Sequence, residues 1–342
     1  MQTIRFGIVG VGNIAPLHVA AIAGTPGAQV VAVTDRDCAR GSQFAAQHGI
    51  RCHDDLAGLL ASDDIDAVCI CTPHDLHAPM TEAAAAAGKH VLCEKPMARN
   101  TAECDRMIRA CAAASVTLGV VFQGRFERLS LSLKSALEAG DLGRLLWTSA
   151  NTIWYRSAEY YRSAPWRGTW AHEGGGVLIN QAIHSLDLLL WAGGTPSRIT
   201  ARMRTLDHDI EVEDAALAIL EYGDGRLGLI QATTVAQPGF PERLEFYGSK
   251  GSVVYNKGQA RIEWNLADPA RAWVDQAEAS SGAARPMDIN AAGHTAVMQD
   301  FVTAIREKRA PLVDGAEGRR SVELVEAIYR SARSGLPVDL PL

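Results

Sequence analysis

The lysine of this chain that is best placed for chemistry is Lys95, in the stretch from Gly88 to Pro96. An Ala-rich segment, predicted to be a helix, ends at Gly88, and the apolar run His90–Cys93 is predicted to be a strand. Ligands of parallel α/β sheets bind just beyond the carboxyl ends of the strands, so an ammonium group here would face a bound ligand. An isolated lysine at a strand end is more often a surface residue, and the neighbouring motifs decide between the two interpretations.

A second candidate group lies on the predicted helix Val177–Trp191, which follows three consecutive glycines. Asn180, His184 and Asp187 are spaced i, i+4, i+7 and form one polar stripe on an otherwise apolar helix. A single histidine on an apolar helix face is more often a hydrogen-bonded core residue. The complete stripe, approached through a flexible glycine run, favours a functional role.

A glycine-rich turn near the N-terminus predicts a binding site for phosphate groups. The apolar run Ile4–Val9 is followed by Gly10-Val11-Gly12-Asn13-Ile14-Ala15 and then by a helical pattern. This order matches G-x-G-x-x-G/A in the strand–turn–helix context that a dinucleotide-binding motif requires. Gly10 would make the turn, Gly12 would let a pyrophosphate approach the backbone, and the helix N-terminus would attract its charge.

An acidic residue at the end of the next predicted strand indicates which dinucleotide binds. Asp35 follows the run Gln29–Thr34 and lies 20 residues beyond Ala15. A carboxylate at this place accepts hydrogen bonds from ribose hydroxyls and repels a 2′-phosphate, which favours NAD over NADP. Arg36 follows immediately and would bind such a phosphate, so NADP stays open as the alternative.

The segment 160–170 combines aromatic rings with arginines and includes Tyr161, Trp166 and Arg167. Binding sites for small molecules are lined by aromatic side chains with a few polar groups, so this composition indicates a wall that binds a carbohydrate. A hydrophobic core or an interface between subunits is the alternative for the tryptophans.

Composition and charge argue against several classes of protein. The chain has 342 residues and a net charge of −6, so it lacks the basic surface of a nucleic-acid-binding protein. No apolar run reaches the roughly 20 residues of a membrane span, and the first residues lead directly into a strand without a signal peptide. The seven cysteines have no regular spacing, which argues against a disulfide framework. These features predict a cytoplasmic enzyme.

No metal site is predicted. His74 and His77 follow the predicted strand Ala67–Cys71, but no cysteine or carboxylate completes a plausible ligand set nearby. A hydrogen bond to the backbone or to a cofactor explains these histidines better.

Alternating strands and helices in the first third of the chain predict a doubly wound parallel sheet, that is, a Rossmann fold. From Gln123 on, strand-like runs separated by short turns predict a large, mostly antiparallel open sheet with helices on one face. Residues 267–292 look irregular, and two helices, over 295–306 and 318–334, are expected to close the chain.

The fold class is therefore α/β with two domains. Residues 1–122 are predicted to form an NAD(P)-binding Rossmann domain, and residues 123–342 a domain for substrate binding and oligomerisation. The second sheet is expected to pair subunits into a homodimer or homotetramer.

Together these motifs resemble those of the glucose–fructose oxidoreductase / inositol dehydrogenase / MocA family over essentially the whole chain. The resemblance implies a Rossmann domain, a C-terminal α/β domain, and NAD(P)-dependent oxidation or reduction of sugars and cyclitols, with a small polyhydroxylated substrate as the partner. The residues that carry it are Gly10–Ala15, Thr72 and Pro73 with His77, Gly88–Pro96, Gly174–Asp187 and Gly315–Leu340.

The resemblance also implies roles for individual residues. Lys95 would lie beside the nicotinamide and the reacting hydroxyl, and the peptide bond between Lys95 and Pro96 would be cis by analogy. His184 would bind that hydroxyl as general acid/base, since imidazole titrates near neutral pH. The residues expected to contact the cofactor are Gly10, Gly12, Asn13, Ile14, Asp35, Arg36, Cys71, Thr72, Pro73, His77, Glu94, Lys95, Gln123 and Arg167. Those expected to contact the substrate are Lys95, Arg125, Tyr161, Trp166, Asn180 and His184.

One position departs from the family pattern, because many members have a carboxylate where this chain has Asn180. An amide can hydrogen-bond a hydroxyl but cannot accept its proton, so the acid/base work falls to Lys95 and His184. Sub-groups that oxidise derivatised or nucleotide-linked sugars behave in this way. Asp187 is expected to orient His184 or a neighbouring backbone group.

Two other functions stay open at this point. The same fold serves glycosidases that recycle NAD within each turnover, and a dinucleotide-binding sensor would bind the cofactor without turnover. Retention of both Lys95 and His184 argues against the sensor, which has no need of that pair.

Overall fold

The computed structural model describes residues 3–268, 273 and 291–342. The chain divides into two compact units, of which the first contains Met1–Gln123 and Asn290–Arg319 and the second contains Gly124–Ile289 and Arg320–Leu342. The predicted division gave each domain one continuous stretch, whereas the segment Asn290–Arg319 packs with the first unit. Most of the predicted irregular segment, 267–292, lies outside the described residues.

The first unit is built on a six-stranded parallel sheet. Its order is that of a Rossmann fold, with the third, second, first, fourth, fifth and sixth strands lying side by side. The fourth strand is buried along its whole length, as expected for a strand that helices cover on both faces. The predicted doubly wound parallel sheet is confirmed. The strands are β1 (Ile4–Val9), β2 (Ala28–Thr34), β3 (Arg51–His53), β4 (Ala67–Ile70), β5 (His90–Cys93) and β6 (Leu118–Val120).

Five helices follow the strands of this sheet. They are α1 (Ala15–Ala23), α2 (Cys38–His48), α3 (Leu56–Leu60), α4 (His77–Ala86) and α5 (Thr101–Ala113). The local sequence explains where α2 and α5 begin, since the side chains of Asp37 and Asn100 accept hydrogen bonds from the first backbone N–H groups. Sequence periodicity does not predict α3, because five residues are too few for a helical pattern.

The second unit is built on an eight-stranded mixed sheet. Its strands are β7 (Leu145–Ile153), β8 (Arg198–Arg204), β9 (Ala215–Glu221), β10 (Leu227–Thr233), β11 (Arg243–Gly248), β12 (Gly251–Asn256), β13 (Arg261–Leu266) and β14 (Val338–Asp339). The order across the sheet is β13-β12-β11-β7-β10-β9-β8-β14. Only β7 and β10 pair in parallel among these described strands, so the predicted, mostly antiparallel sheet is confirmed.

The remaining helices are α6 (Arg128–Glu138), α7 (Ala158–Arg162), α8 (Ile183–Gly193), α9 (Ala292–Glu307) and α10 (Gly315–Ser334). In the second unit, α8 packs on β7 and β11 through an almost entirely buried apolar surface. In the first unit, α9 packs against α1. Within the described ranges, no helix is both long and apolar enough to cross a membrane.

Candidate active site

The turn after β1 has the geometry that the glycine motif predicts. Gly10 has a φ of +88°, which side chains disfavour, and a Cβ there would come within 2.9 Å of Thr72 Cγ2. Gly12 and Asn13 are exposed just before α1, whose N-cap residue is Ile14. The backbone N–H groups at this helix end are suited to bind phosphate groups.

The carboxylate of Asp35 lies beside this turn. Its Oδ2 accepts a hydrogen bond from Val11 N (2.8 Å), and Oδ1 accepts from Asp37 N (2.8 Å) and the Arg40 guanidinium (2.6 Å). Burial raises the pKa of Asp35, but the hydrogen bonds from Arg40 and the backbone outweigh burial and hold the pKa below its ordinary value. Asp35 is therefore ionised at neutral pH. Arg36, the predicted phosphate ligand, is exposed, and it is Arg40 that pairs with Asp35.

The loop after β4 is held by His77, the first residue of α4. His77 is fully buried, and its ring nitrogens lie 2.9 Å from Thr72 O and 2.8 Å from Pro96 O. The histidine thus bonds to the backbone, as the sequence indicates, and links the Thr72-Pro73 turn to the loop after β5. Burial raises the pKa of the neighbouring Cys71 thiol well above its ordinary value, so the thiol stays protonated.

Lys95 lies just beyond the carboxyl end of β5, and the peptide bond between Lys95 and Pro96 is cis, as expected. The preceding residue, Glu94, is buried, and its two carboxylate oxygens have different partners. Its Oε2 accepts a hydrogen bond from Lys95 N (3.1 Å), and its Oε1 lies 2.7 Å from His18 Nε2 and 3.8 Å from His294 Nε2. The backbone of Lys95 is therefore connected to α1 and α9 through Glu94.

His18 and His294 are residues of this site that sequence reasoning missed. They lie on α1 and α9, both are buried, and their rings meet edge to face with centroids 5.6 Å apart. Burial raises the pKa of Glu94, but the hydrogen bonds and charges of the two histidines outweigh burial and hold the pKa well below its ordinary value. Glu94 is a carboxylate, so His18 Nε2 is the donor in their hydrogen bond.

The same three side chains have the composition of a metal site, since one ligand atom from each lies within 4.8 Å of the others. Two features favour a hydrogen-bonded cluster instead. The 2.7 Å distance between His18 and Glu94 is that of a direct hydrogen bond. In addition, both Nδ1 atoms are buried without a hydrogen-bond partner among the described residues, whereas a metal-binding histidine is usually held through that nitrogen. We assign no metal to this cluster.

In the second unit, the glycine run before the polar helix is tightly packed. Glu213 accepts hydrogen bonds from Gly176 N (2.9 Å), Leu178 N (3.0 Å) and Tyr329 Oη (2.8 Å). A Cβ on Gly176 would come within 1.8 Å of the backbone oxygen of Glu213, so only glycine fits. The glycines therefore serve close packing rather than the flexibility that the sequence suggests. Burial raises the pKa of Glu213 to about 7.

The predicted polar stripe is interrupted, because Leu178–Ala182 form a π-helical turn before α8. Asn180 lies in this turn, where its Nδ2 donates to Glu173 and lies 3.3 Å from Tyr160 Oη. His184 is half-buried at the start of α8, whereas Asp187 is fully buried. Asp187 thus belongs to the interior of the unit and not to one continuous stripe.

The partner of Asp187 changes the assignment of Arg125. Arg125 Nε and Nη2 donate to the Asp187 carboxylate at 2.9 and 2.6 Å, and both side chains are 1% exposed. Ser321 Oγ donates to the same carboxylate at 3.1 Å. An arginine with this burial and this partner is part of the core, so we withdraw Arg125 from the predicted substrate contacts.

The aromatic segment places Tyr160 next to the polar helix. Tyr160 Oη lies 2.5 Å from Arg167 Nη1 and 3.1 Å from Gln181 Nε2. The predicted residue, Tyr161, is buried, and its hydroxyl lies 2.9 Å from Thr234 Oγ1, as expected for a core residue. The sequence shows two consecutive tyrosines and does not indicate which of them is buried.

Two further predicted residues have definite surroundings. The ring of Trp166 is half-buried, and the Arg167 guanidinium lies 4.5 Å from its centroid. Gln123 begins a short 3-10 turn, and its Oε1 is buried with no hydrogen-bond partner in the described part of the chain.

Comparison with family models gives two matches. Residues 4–122 match an oxidoreductase family with an NAD-binding Rossmann fold, GFO/IDH/MocA, and residues 130–254 match the GFO/IDH/MocA C-terminal domain.

Individual relatives match over the full length. The chain is 28% identical to inositol 2-dehydrogenase of Rhizobium meliloti, over 96% of this chain and 97% of that protein. It is 35% identical to the WlbA dehydrogenase from Bordetella pertussis, solved in complex with NADH and UDP-GlcNAcA, with a TM-score of 0.89 and 100% of both chains covered. Levoglucosan dehydrogenase, in complex with NADH and levoglucosan, is 26% identical with a TM-score of 0.87 and the same coverage of 100%.

Proposed function

We propose that this chain, which belongs to the GFO/IDH/MocA family, oxidises a secondary alcohol of a sugar, cyclitol or sugar derivative. Its relatives are NAD-dependent dehydrogenases that act on CH–OH groups of sugars and inositols. The observation that carries the proposal is the place of Lys95. It follows β5 at the carboxyl edge of the parallel sheet, in the same unit as the glycine turn and Asp35.

The residues of the first unit fit a dinucleotide. Gly12 and Asn13 before α1 would hold the pyrophosphate, and the ionised carboxylate of Asp35 would accept the ribose hydroxyls and repel a 2′-phosphate. When bound, NAD supplies the hydride acceptor. These residues therefore support a preference for NAD over NADP. The ratio of kcat/KM with NAD to kcat/KM with NADP measures this preference.

We assign the proton of the reacting hydroxyl to Lys95 and His184. The imidazole of His184 is half-buried at the start of α8, and an imidazole can both accept and donate a proton. Asn180, one turn earlier, can hydrogen-bond a hydroxyl but cannot accept its proton. Glu94 accepts a hydrogen bond from the backbone N–H of Lys95 and so positions the backbone of Lys95.

Replacing Lys95 by Met tests this assignment. Because a positioned acid or base contributes about 10²- to 10⁴-fold, Lys95→Met should lower kcat by at least about 10²-fold. The affinity for NADH, measured by nicotinamide fluorescence, should change little. Lys250→Met replaces an exposed lysine of the second unit and should keep full activity.

Full activity of Lys95→Met would rule the assignment out. Nicotinamide absorbance during turnover separates the remaining functions: a dehydrogenase accumulates NADH, an NAD-recycling glycosidase releases product without net NADH, and a sensor does neither.

The comparisons suggest which substrates to try. Similarity to inositol 2-dehydrogenase and levoglucosan dehydrogenase supports neutral sugars and cyclitols, and similarity to WlbA supports UDP-linked sugars. A panel drawn from these three groups, each measured with NAD and NADP, is the direct experiment.

We also propose that the second sheet pairs two copies of the chain. Its open face exposes a row of apolar side chains on adjacent strands: Trp147 (37% exposed) on β7, Leu227 (43%) on β10, and Leu217 (54%) and Ile219 (50%) on β9. Contiguous exposed apolar surface on a sheet is typical of a subunit interface.

A further inference from the structure

A cluster of positive charge surrounds one tyrosine in the second unit. The guanidinium carbon of Arg156 lies 5.3 Å from the ring centroid of Tyr160, and that of Arg167 lies 4.2 Å from it. Arg156 is only 5% exposed. We refer to Arg156, Tyr160 and Arg167 as the arginine cluster.

The tyrosine oxygen in this cluster faces more donors than it can satisfy. Arg167 Nη1, Gln181 Nε2 and Asn180 Nδ2 lie 2.5, 3.1 and 3.3 Å from Tyr160 Oη. Burial raises the pKa of Tyr160, so the phenol keeps its proton and offers two lone pairs to three N–H donors. The surroundings of Tyr160 therefore contain a surplus of hydrogen-bond donors.

The surplus includes one buried guanidinium N–H group, that of Arg167 Nε. Arg167 Nη1 is bonded to Tyr160, whereas Arg167 Nε is buried and has no hydrogen-bond partner among residues 3–268, 273 and 291–342. A buried donor that stays unpaired costs free energy, and the Nε edge of a guanidinium matches the two oxygens of a carboxylate.

The charge of the arginine cluster also favours binding of an anion. Burial lowers the pKa of Arg156; Tyr160 and Tyr161 act against this decrease, and the positive charge of Arg167 adds to it. The nearby carboxylate of Glu173 is shared with Gly168 N and Asn180 Nδ2. Two guanidinium groups that pack on one tyrosine ring in a partly buried place are stabilised by an anion that binds near them.

We propose that the arginine cluster binds a carboxylate carried by the substrate, so that the preferred substrate is a sugar acid. This inference rests on the proposed function. Asn180 contacts Tyr160 and precedes His184 by four residues, which places the cluster within about one helical turn of the group that handles the reacting hydroxyl. An acid group on the sugar ring itself is thus favoured over the phosphates of a distant nucleotide.

Matched pairs of ligands test the proposal. D-Glucuronate is compared with D-glucose, and UDP-GlcNAcA with UDP-GlcNAc, both as substrates with NAD and by calorimetric binding to the protein with NADH. The acid of each pair should be favoured by about 10- to 100-fold, which corresponds to one hydrogen bond to a charged group. UDP-GlcNAc is also compared with GlcNAc, to measure any contribution of the phosphates.

Substitutions then locate the preference. Arg167→Gln should reduce the acid-to-neutral ratio by about tenfold or more, and Arg156→Lys, which keeps the charge but loses the planar fork, should reduce it less. Arg162→Gln is the matched control, because Arg162 lies in the same segment, is exposed and pairs with Glu159. It should leave the ratio unchanged. If Arg156→Lys fails to fold, Arg167→Gln alone still decides.

The outcomes separate this proposal from the function on which it rests. Oxidation of both members of each pair at equal efficiency would overturn the carboxylate site and leave the dehydrogenase intact. Tight, Arg167-dependent binding of the acids without turnover of any ligand would support the site and overturn the proposed function. A preference for UDP-GlcNAc over GlcNAc that Arg167→Gln removes would show that the cluster binds phosphate and would also overturn the proposal.

Discussion

The ion pair between Arg125 and Asp187 should be one of the main determinants of the stability of the second unit. It joins the 3-10 turn of Gln123–Phe126 to α8, and Ser321 adds α10 to the same carboxylate. Replacing Asp187 by Asn keeps the shape of the side chain but removes its charge. The guanidinium of Arg125, which is 1% exposed, would then be buried without compensation.

The expected cost follows from that burial. Removing one member of a buried, hydrogen-bonded ion pair typically destabilises a protein by about 3–5 kcal/mol. Typical domains have a total stability of about 5–15 kcal/mol, so this is a large fraction of it. For a unit of this size each kcal/mol shifts Tm by about 2–4 °C, and a decrease of roughly 10 °C is expected.

Urea unfolding followed by tryptophan fluorescence is the suitable assay. All seven tryptophans lie at or after Trp147, so the signal reports on the second unit. The double variant Arg125→Met/Asp187→Leu removes both charges and fills the space with apolar groups, and it should recover most of the lost stability. Glu159→Gln, which breaks the exposed pair with Arg162, should not change the midpoint.

An unchanged urea midpoint for Asp187→Asn would refute this reasoning, because a buried guanidinium would then be tolerated without its partner. The reasoning would also fail if the double variant were no more stable than the single one, since the cost would then come from lost packing and not from uncompensated charge.

Three other predictions concern His18, Glu213 and Ile219. His18→Leu removes the hydrogen bond to Glu94 and should lower kcat by about tenfold or more. The amide of His18→Asn can still donate to Glu94, so this variant should keep part of the kcat that His18→Leu loses. Equal kcat values for the two variants would contradict the positioning role. Because burial raises the pKa of Glu213 to about 7, the stability that its protonated form contributes is fully present below about pH 4.5 and is lost as the pH rises through about 7. This loss amounts to about 3 kcal/mol, and Glu213→Gln should flatten the decrease in urea stability between pH 5 and 7.5; parallel curves for the two proteins would contradict it. Ile219→Lys places a charge on the exposed apolar face of β9. The molar mass measured by light scattering should decrease to that of a monomer. An unchanged mass would locate the interface elsewhere.

Much of the fold could be predicted from the sequence because its signals are local. The glycine turn of Gly10, the apolar runs of the parallel strands and the capping residues Asp37 and Asn100 each act within a few neighbouring residues. The same holds for the short turns that make the second sheet mostly antiparallel. Residues that follow such elements directly, among them Asp35 and Lys95, were therefore predictable as well.

The sequence by itself thus determined the two sheets, the cofactor turn and the position of Lys95. Only the tertiary structure decided which side chains meet. Nothing local connects His18 and His294 with Glu94, since α9 returns to α1 from the other end of the chain. Likewise, the π-helical turn Leu178–Ala182 changes the faces of the polar helix. A contact between distant segments depends on which face of each element is buried, and that is set when the whole core packs, not by the residues on either side.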